Sequence, residues 1–257
     1  MLKEYLSTLA NAIRSKLGTT EKINAQDFAE KIMSIPQGGA DDFWDIYQDN
    51  GKRTDYNGAF AGIGWTDETF KPKYDIRPTT ATNLFYYAKN IKNLKQILID
   101  AGVVLDTSRC TVMNNFIQSA DFITHLPEIS TVSCASLSQF LHWNVVLTNV
   151  DKIILKSDGS QTFSNCFGGL NNLVEIRFEG KFGVTVSIKE STKLSKESII
   201  SIVNALYENS VNKKITFSKT AVNKAFGIDV DDLSTYPEGS EYYNLRHSKD
   251  NWDFAYA

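Results

Sequence analysis

Three histidines and three cysteines are the residues of widest chemical reach in this 257-residue chain. The histidines are His125, His142 and His247. Neither His125 nor His142 has a carboxylate or a cysteine at ligand spacing, and HExxH is absent. Cys110, Cys134 and Cys166 match no zinc or redox spacing, and their odd number argues against a disulfide framework. They read as buried free thiols. There is no GxSxG and no P-loop. The glycines of GAFAGIG, residues 58–64, lack the strand before and the helix after that a phosphate loop needs. Paired carboxylates for glycoside hydrolysis must meet in space, and Asp41-Asp42 and Asp231-Asp232 read as ordinary loop acids. The sequence therefore points to no catalytic residue, no cofactor and no metal ligand, and the protein is expected to be non-enzymatic.

Binding chemistry is better represented. Aromatic residues make up 12% of the chain, more than an apolar core alone requires. Tyr86, Tyr87 and Trp143 stand beside apolar repeat positions without belonging to them, and are the candidate contact residues. Acids and amides mixed with Trp44, Tyr47, Tyr56 and Trp65 give a second arrangement that could stack on sugar rings. The formal charge is −3, with Lys and Arg spread among acids, so the footprint of nucleic-acid binding is missing. No run approaches the ~18 apolar residues of a membrane span. The start, MLKEYLSTLANAIRSKLG, is amphipathic, so no secretory signal is expected there.

The elements that must position these residues follow from periodicity. Leu2, Tyr5, Leu6, Leu9, Ile13 and Leu17 form one helical stripe, closed by Gly18. Phe28, Ile32 and Ile35 form a second, opened by Asn24 and ended by Pro36. Residues 1–38 thus read as a helical hairpin too small for a strong core of its own, suited to attachment or self-association.

From residue 82 a repeat emerges. Leu84, Phe116, Phe140 and Phe163 are anchors 32, 24 and 23 residues apart. Seven residues on stand Ile91, Ile123, Leu147 and Leu170; ten on, Leu94, Leu126, Val150 and Leu173; thirteen on, Ile97, Ile129, Ile153 and Ile176. All sixteen positions are apolar. Within each window a helical or 3₁₀ turn gives way to alternation, as at Ile97 and Ile99, Ile153 and Leu155, and Ile176 and Phe178, which is the strand signature. One unit cannot bury its own apolar face, so units must stack. The expected fold is an α/β (α+β) repeat solenoid, a leucine-rich-repeat-like stack of short strands and helical turns with an N-terminal helical hairpin. Its expected parts are 1–38, an attachment module; 39–81, a linker and N-terminal cap; 82–227, the repeat array with a C-terminal helical cap; and 228–257, an aromatic tail whose Trp252 and Phe254 pack as core.

Two segments carry resemblances. IRSKLGTTEKINAQDFAEKIMSI, residues 13–35, resembles a short N-terminal module of phage and prophage tail-associated proteins from low-GC Gram-positive hosts. SKESIISIVNALYEN with KKITFSKTAVNKA, and the K-x-N-W of KDNW, resemble the C-terminal ends of such proteins. FSNCFGGLNNLVEIRF, residues 163–178, and LFYYAKNIKNLKQILI, residues 84–99, resemble BspA-like leucine-rich repeats. FLHWNVVLTNVDKIIL fits less well, because Asn144 stands where other windows have Ala or Phe. These resemblances imply a virion tail component assembled in the host cytoplasm. Residues 1–38 would bind other virion proteins or self-associate, as a trimer on the analogy of tail fibres, and the array would recognise a host cell-surface protein or polysaccharide. A BspA-like cell-surface adhesin and a glycan-degrading tail protein are the alternatives.

Overall fold

The computed structural model describes residues 10, 11, 13, 14, 39–62, 64–228 and 236–257. The chain divides into two compact units, Met1–Asn50 and Gly51–Ala257. In the first, residues 10, 11, 13 and 14 are helical, with Ala10 and Ile13 buried. The rest of the hairpin expected over 1–38 lies outside the described residues. Helix α1, Gly39–Tyr47, follows and carries a packed ring cluster of Phe43, Trp44 and Tyr47.

The second unit is a solenoid of parallel strands and stacked turns. Its rungs are visible in one column of backbone bridges and strand pairs: Asp55 beside Thr80, Thr80 beside Val112, and Ser136 beside Thr162. The last of these joins β3, Ser136–Ser138, to β5, Thr162–Ser164. A second face is a parallel sheet. Its central strand β4, Asn149–Ile154, lies between β6, Glu175–Glu179, on one side and β1, His125–Leu126, and β2, Ile129–Ser130, on the other.

Between the two faces every coil makes the same turn. The amides of Gly58, Phe60 and Gly62 donate to the carbonyls of Thr82, Leu84 and Tyr86 on the next coil. Those of Asn83, Phe85 and Tyr87 donate to Asn114, Phe116 and Gln118. Asn115, Ile117 and Ser119 donate to Ser138, Phe140 and His142, and Gln139, Leu141 and Trp143 to Ser164, Cys166 and Gly168. Inside the stack, Phe60, Phe85, Phe116 and Phe140 pack ring on ring at centroid separations of 5.3, 6.3 and 5.4 Å.

This geometry corrects four sequence expectations. First, residues 54–62 make the first full coil rather than only a cap, because their turn bonds onward as all the others do. Second, the turns are not helical. Two residues in each, four apart, have positive φ: Asn83 and Tyr87, Asn115 and Ser119, Gln139 and Trp143, with Gly58 and Gly62 before them and Asn165 and Gly169 after. A right-handed helical turn admits neither. Third, the alternation of Ile97 and Ile99 is not a strand. Residues Leu94–Ala101 form helix α2, capped by Gly102 at φ 63°, and Ile97 and Ile99 are half-buried and exposed. Fourth, the last window is out of register by three residues. Ser138 pairs with Ser164 and Val150 with Ile176, so Cys166, not Phe163, is the counterpart of Phe140. Leu170, Leu173 and Ile176 recur in threes, so the slipped register still falls on apolar residues, and a register shift at the end of the window sets Ile153 against Phe178. Fourteen of the sixteen repeat positions are nonetheless buried; Phe163 and Ile97 are the exceptions.

Polar side chains inside the stack complete the ladder where the chain departs from regularity. Asn144 is fully buried opposite Leu170. Its Oδ1 accepts from the Ala120 amide at 2.8 Å, and its Nδ2 donates to the carbonyls of Leu141 and Ile117. Gln161 does similar work one coil on, donating to Thr131 O and Cys134 O and accepting from the Lys156 amide. The repeated Thr107-Ser-Arg-Cys110 and Thr131-Val-Ser-Cys134 turns bond across coils too: Thr107 Oγ1 donates to Ser130 O, Thr131 Oγ1 to Ile154 O and Cys134 Sγ to Cys110 O. All three cysteines are buried and free.

The stack ends in a cap. Helix α3, Lys196–Asn204, opens at Ser195, whose hydroxyl accepts from the Ser198 amide. It lies along β6 where a further strand would pair. Ser198 Oγ accepts from the Ile176 amide at 2.9 Å and Ser201 Oγ from the Phe178 amide at 2.8 Å. Beyond it, β7, Val186–Ser187, β8, Lys213–Phe217, and β9, Trp252–Tyr256, make a separate parallel sheet. Helices α4, Lys219–Phe226, and α5, Glu241–His247, complete the cap, each opened by a serine side chain. Trp252 and Phe254 are buried in it. Lys249, almost fully buried, donates to Leu206 O at 2.9 Å and to the carboxylate of Glu208.

Two outcomes follow from these buried polar groups. Asn144→Ala leaves one amide and two carbonyls without partners, and should cost about 2–3 kcal/mol in urea-induced unfolding. The Lys249 and Lys181 hydrogen bonds hold the Glu208 carboxyl down at about 2, against an ordinary 4.5. Its folded pKa is lower than its unfolded one, so its stabilisation is present above about pH 4.5 and fades as pH falls toward 2. Acid titration of stability should show that loss, and Glu208→Gln should flatten it.

Candidate binding surface

The second left-handed position of each turn forms a column down the solenoid: Gly62, Tyr87, Ser119, Trp143 and Gly169. Two of the three sequence candidates fall in it. Tyr87 is at φ 55° and 41% exposed; Trp143 is at φ 60° and 55% exposed. The third, Tyr86, belongs to the preceding column with Gln118, His142 and Gly168, and is half-buried. The two columns make an aromatic pair on two coils. Tyr86 meets Tyr87 edge to face at 4.5 Å, and His142 meets Trp143 the same way at 5.7 Å. The candidates are therefore brought onto one face at equivalent repeat positions, with the Ser119 coil between them.

Such residues are costly where they stand. A bulky side chain in the left-handed region carries roughly 1–3 kcal/mol of strain, and exposing an aromatic ring forgoes its burial. Glycine meets the same backbone need at Gly62 and Gly169. Gly169 also answers a packing need, because a Cβ there would stand 2.8 Å from the Trp143 Cα. Its amide donates to Glu190 Oε2 at 2.5 Å. Lys89 lies 5.1 Å from the Tyr87 ring centroid and pairs with Asp121 at 3.1 Å, so the column has a polar rim. Burial pushes the pKa of His142 down, against a pull from Glu190, so its imidazole is neutral at pH 7.

The other aromatic set divides between the two units, with Trp44 and Tyr47 in the first and Tyr56 and Trp65 in the second. Trp44 and Tyr56 are buried, at 4% and 0% exposure. Tyr56 packs beside Phe60, and Trp65 stands edge-on to Phe60 and Phe70. Tyr47 and Trp65 are half-buried.

The histidine that sequence spacing left alone does gain a carboxylate through the stack. His125 Nε2 lies 2.9 Å from Asp151 Oδ1, and Lys95 Nζ lies 2.7 Å from Asp151 Oδ2, so three coils meet at one carboxylate. Burial would raise the Asp151 pKa, but the hydrogen bonds from Lys95 and His125 outweigh it and hold the group ionised. The other acids with displaced values, Asp55, Glu68, Asp106, Asp158 and Glu208, are also lowered, chiefly by hydrogen bonds within their own turns or from Lys249. An acid tuned to donate a proton near neutral pH would be raised. Among the described residues no cluster of His, Cys, Asp and Glu is grouped to hold a metal ion, and no helix is long and apolar enough to cross a membrane.

Sequence reading also missed a basic site. Arg53, Arg77 and Arg109 line one surface cavity of about 220 Å³ although they are far apart in the chain. The signal was present as an arginine one or two residues before Thr54, Thr79 and Thr111, where the amide and hydroxyl of Thr79 donate to Thr54 O and those of Thr111 to Thr79 O.

Compared with protein-family models, curated proteins and solved structures, the chain matches none of them.

The cost of the column can be measured directly. Trp143→Gly removes the left-handed strain and should leave thermal stability unchanged or raise it by up to about 1 kcal/mol. Gly169→Ala adds both strain and the 2.8 Å clash with the Trp143 backbone, and should lower stability by more than about 2 kcal/mol.

Proposed function

We propose that this protein is a non-enzymatic recognition component of a phage or prophage tail, with the column of Tyr87 and Trp143, flanked by Tyr86, as its receptor-facing surface. The observation that carries the reading is that exposed aromatic rings occupy strained positions that glycine fills on neighbouring coils. Backbone strain and solvent exposure of the same side chain, repeated at one position of the turn, are expected where a surface is kept for contact. Aromatic rings on a rigid stack suit a host polysaccharide, by stacking, or a host surface protein, by packing.

The tail assignment rests on the resemblance of residues 13–35 to tail-associated modules and of 195–225 and 249–252 to the ends of such proteins. Residues 1–38 would then attach the solenoid to other virion proteins or to further copies of itself, as a trimer. The leucine-rich, BspA-like character belongs to this proposal as well. Its support is the apolar repeat of 24 to 32 residues and the parallel strand in each of the middle coils. A basic tract for nucleic acid and a span for membrane insertion play no part in this reading.

Immunogold labelling of tailed particles from the source strain tests the assignment, with label at the tail tip expected. Label confined to cell envelopes, with bare particles, would replace it with a surface adhesin. Particles carrying Tyr87→Ala and Trp143→Ala should adsorb to host cells at least about tenfold more slowly while assembling normally. Unchanged adsorption would remove the column from the receptor contact.

A further inference from the structure

We infer that the cavity lined by Arg53, Arg77 and Arg109 is a binding site for a sugar acid, the carboxylate-bearing residue of an acidic polysaccharide. It lies outside the aromatic column and does not depend on where the protein is displayed. The three arginines come from the first three coils of the stack, where neighbouring backbones run about 4.8 Å apart. They line one concave space with Thr54, Thr79 and Asp106.

The lining carries more cations than anions, and two of its arginines are held by neighbours. Arg53 Nε donates to Asp55 O at 2.8 Å, and its guanidinium lies 5.0 Å from the Tyr56 ring centroid. Arg77 is steadied by Asp75 at 2.7 Å yet is two-thirds exposed, and Arg109 is exposed. Asp106 is held by the Ser108 amide at 3.1 Å and the Ser108 hydroxyl at 2.7 Å, and remains ionised. Within the lining three guanidinium groups face one carboxylate, Asp106, while Asp75 pairs with Arg77 from beside it. Planar guanidinium forks are matched to carboxylate oxygens.

The remaining lining distinguishes a sugar acid from a bare oxyanion. Asp106 offers acceptor oxygens and Thr54 and Thr79 offer hydroxyls, which suit the ring hydroxyls of a pyranose. A bare phosphate lacks the ring of hydroxyls that this mixed lining of donors and acceptors suits. The volume of about 220 Å³ is below the ~300–1,000 Å³ of drug-sized sites and suits one sugar residue. Nucleic acid is disfavoured, since the chain carries a formal charge of −3.

Calorimetric titration of the full chain with trigalacturonate and sialyllactose, against neutral maltotriose and inorganic phosphate, tests the site. At least one acidic sugar should bind while maltotriose does not. Its affinity should fall at least tenfold in Arg77→Gln/Arg109→Gln and between 50 and 500 mM salt, roughly as expected for paired charges in a half-open site. Arg77→Lys/Arg109→Lys should retain part of it. In the unmutated protein the arginine Nε–H resonances should shift on titration, which keeps the test independent of variant folding. The inference is overturned if neither acidic sugar binds, if the Gln variant binds as well as the parent, or if phosphate binds as tightly as the sugars. The last outcome would mean adventitious oxyanion binding only.

Discussion

A coil of a solenoid has one place to satisfy its backbone: the coil next to it. Everything else in this protein follows from that constraint. Each turn sends three amides onward to three carbonyls of its neighbour, and the pattern repeats from Gly58 to Gly168 without a break. The bonds are individually modest, about 0.5–1.5 kcal/mol net, but an amide left without one inside the stack costs more than the bond is worth. The turn must therefore keep one shape whatever its residues prefer. That shape needs two left-handed residues four apart. Asn83, Asn115 and Asn165 accept the first position readily, since a short amide tolerates that region. Tyr87, Ser119 and Trp143 accept the second under compulsion, because the amides of these same residues carry the third bond of each rung.

The same constraint makes the ends of the stack the difficult places. An open edge of parallel strand is a template for unwanted pairing. At one end the problem is solved with a helix carrying serines at the right spacing. Ser198 and Ser201, three apart on α3, present their hydroxyls to the amides of Ile176 and Phe178, two apart on β6. The hydroxyls replace the carbonyls of a missing strand, and a helix offers no strand edge of its own. The C-terminal sheet then buries Trp252 and Phe254 beyond this seal.

What could be read from the sequence was what depends on hydrophobicity alone. Leu84, Phe116 and Phe140 announced the coils, and Trp252 and Phe254 read as core and are buried. What could not be read was what depends on neighbours across the stack. The fourth window slipped because an apolar spacing of three has no preferred phase; only the pairing of Ser138 with Ser164 sets it. The turns passed for helix because left-handed residues leave no mark in hydrophobic periodicity, and an asparagine before an aromatic is ambiguous. Residues 94–101 passed for a strand because Ile97 and Ile99 alternate within what is also an amphipathic helix. Asn144 looked like a defect in the repeat, yet it is the residue that completes the hydrogen bonds of two coils. The candidate aromatics were legible because they interrupt the apolar pattern. The arginine cavity was not, because it draws one residue from each of three coils.

This difference bears on how a solenoid acquires function. Its interior is fixed by the backbone ladder, so variation is confined to side chains that point outward at each coil. Any outward position is multiplied along the stack, and residues distant in sequence become neighbours about 4.8 Å apart. Two such positions have been filled with side chains that fold stability does not ask for. At one, aromatic rings are held exposed on strained backbone. At the other, like charges are gathered although their mutual repulsion opposes it. Neither arrangement is the cheapest choice for a stack whose own glycines and serines fill the equivalent places on adjacent coils. On the function proposed above, a stack whose interior obeys the ladder serves as a rigid support for contact through its outward columns.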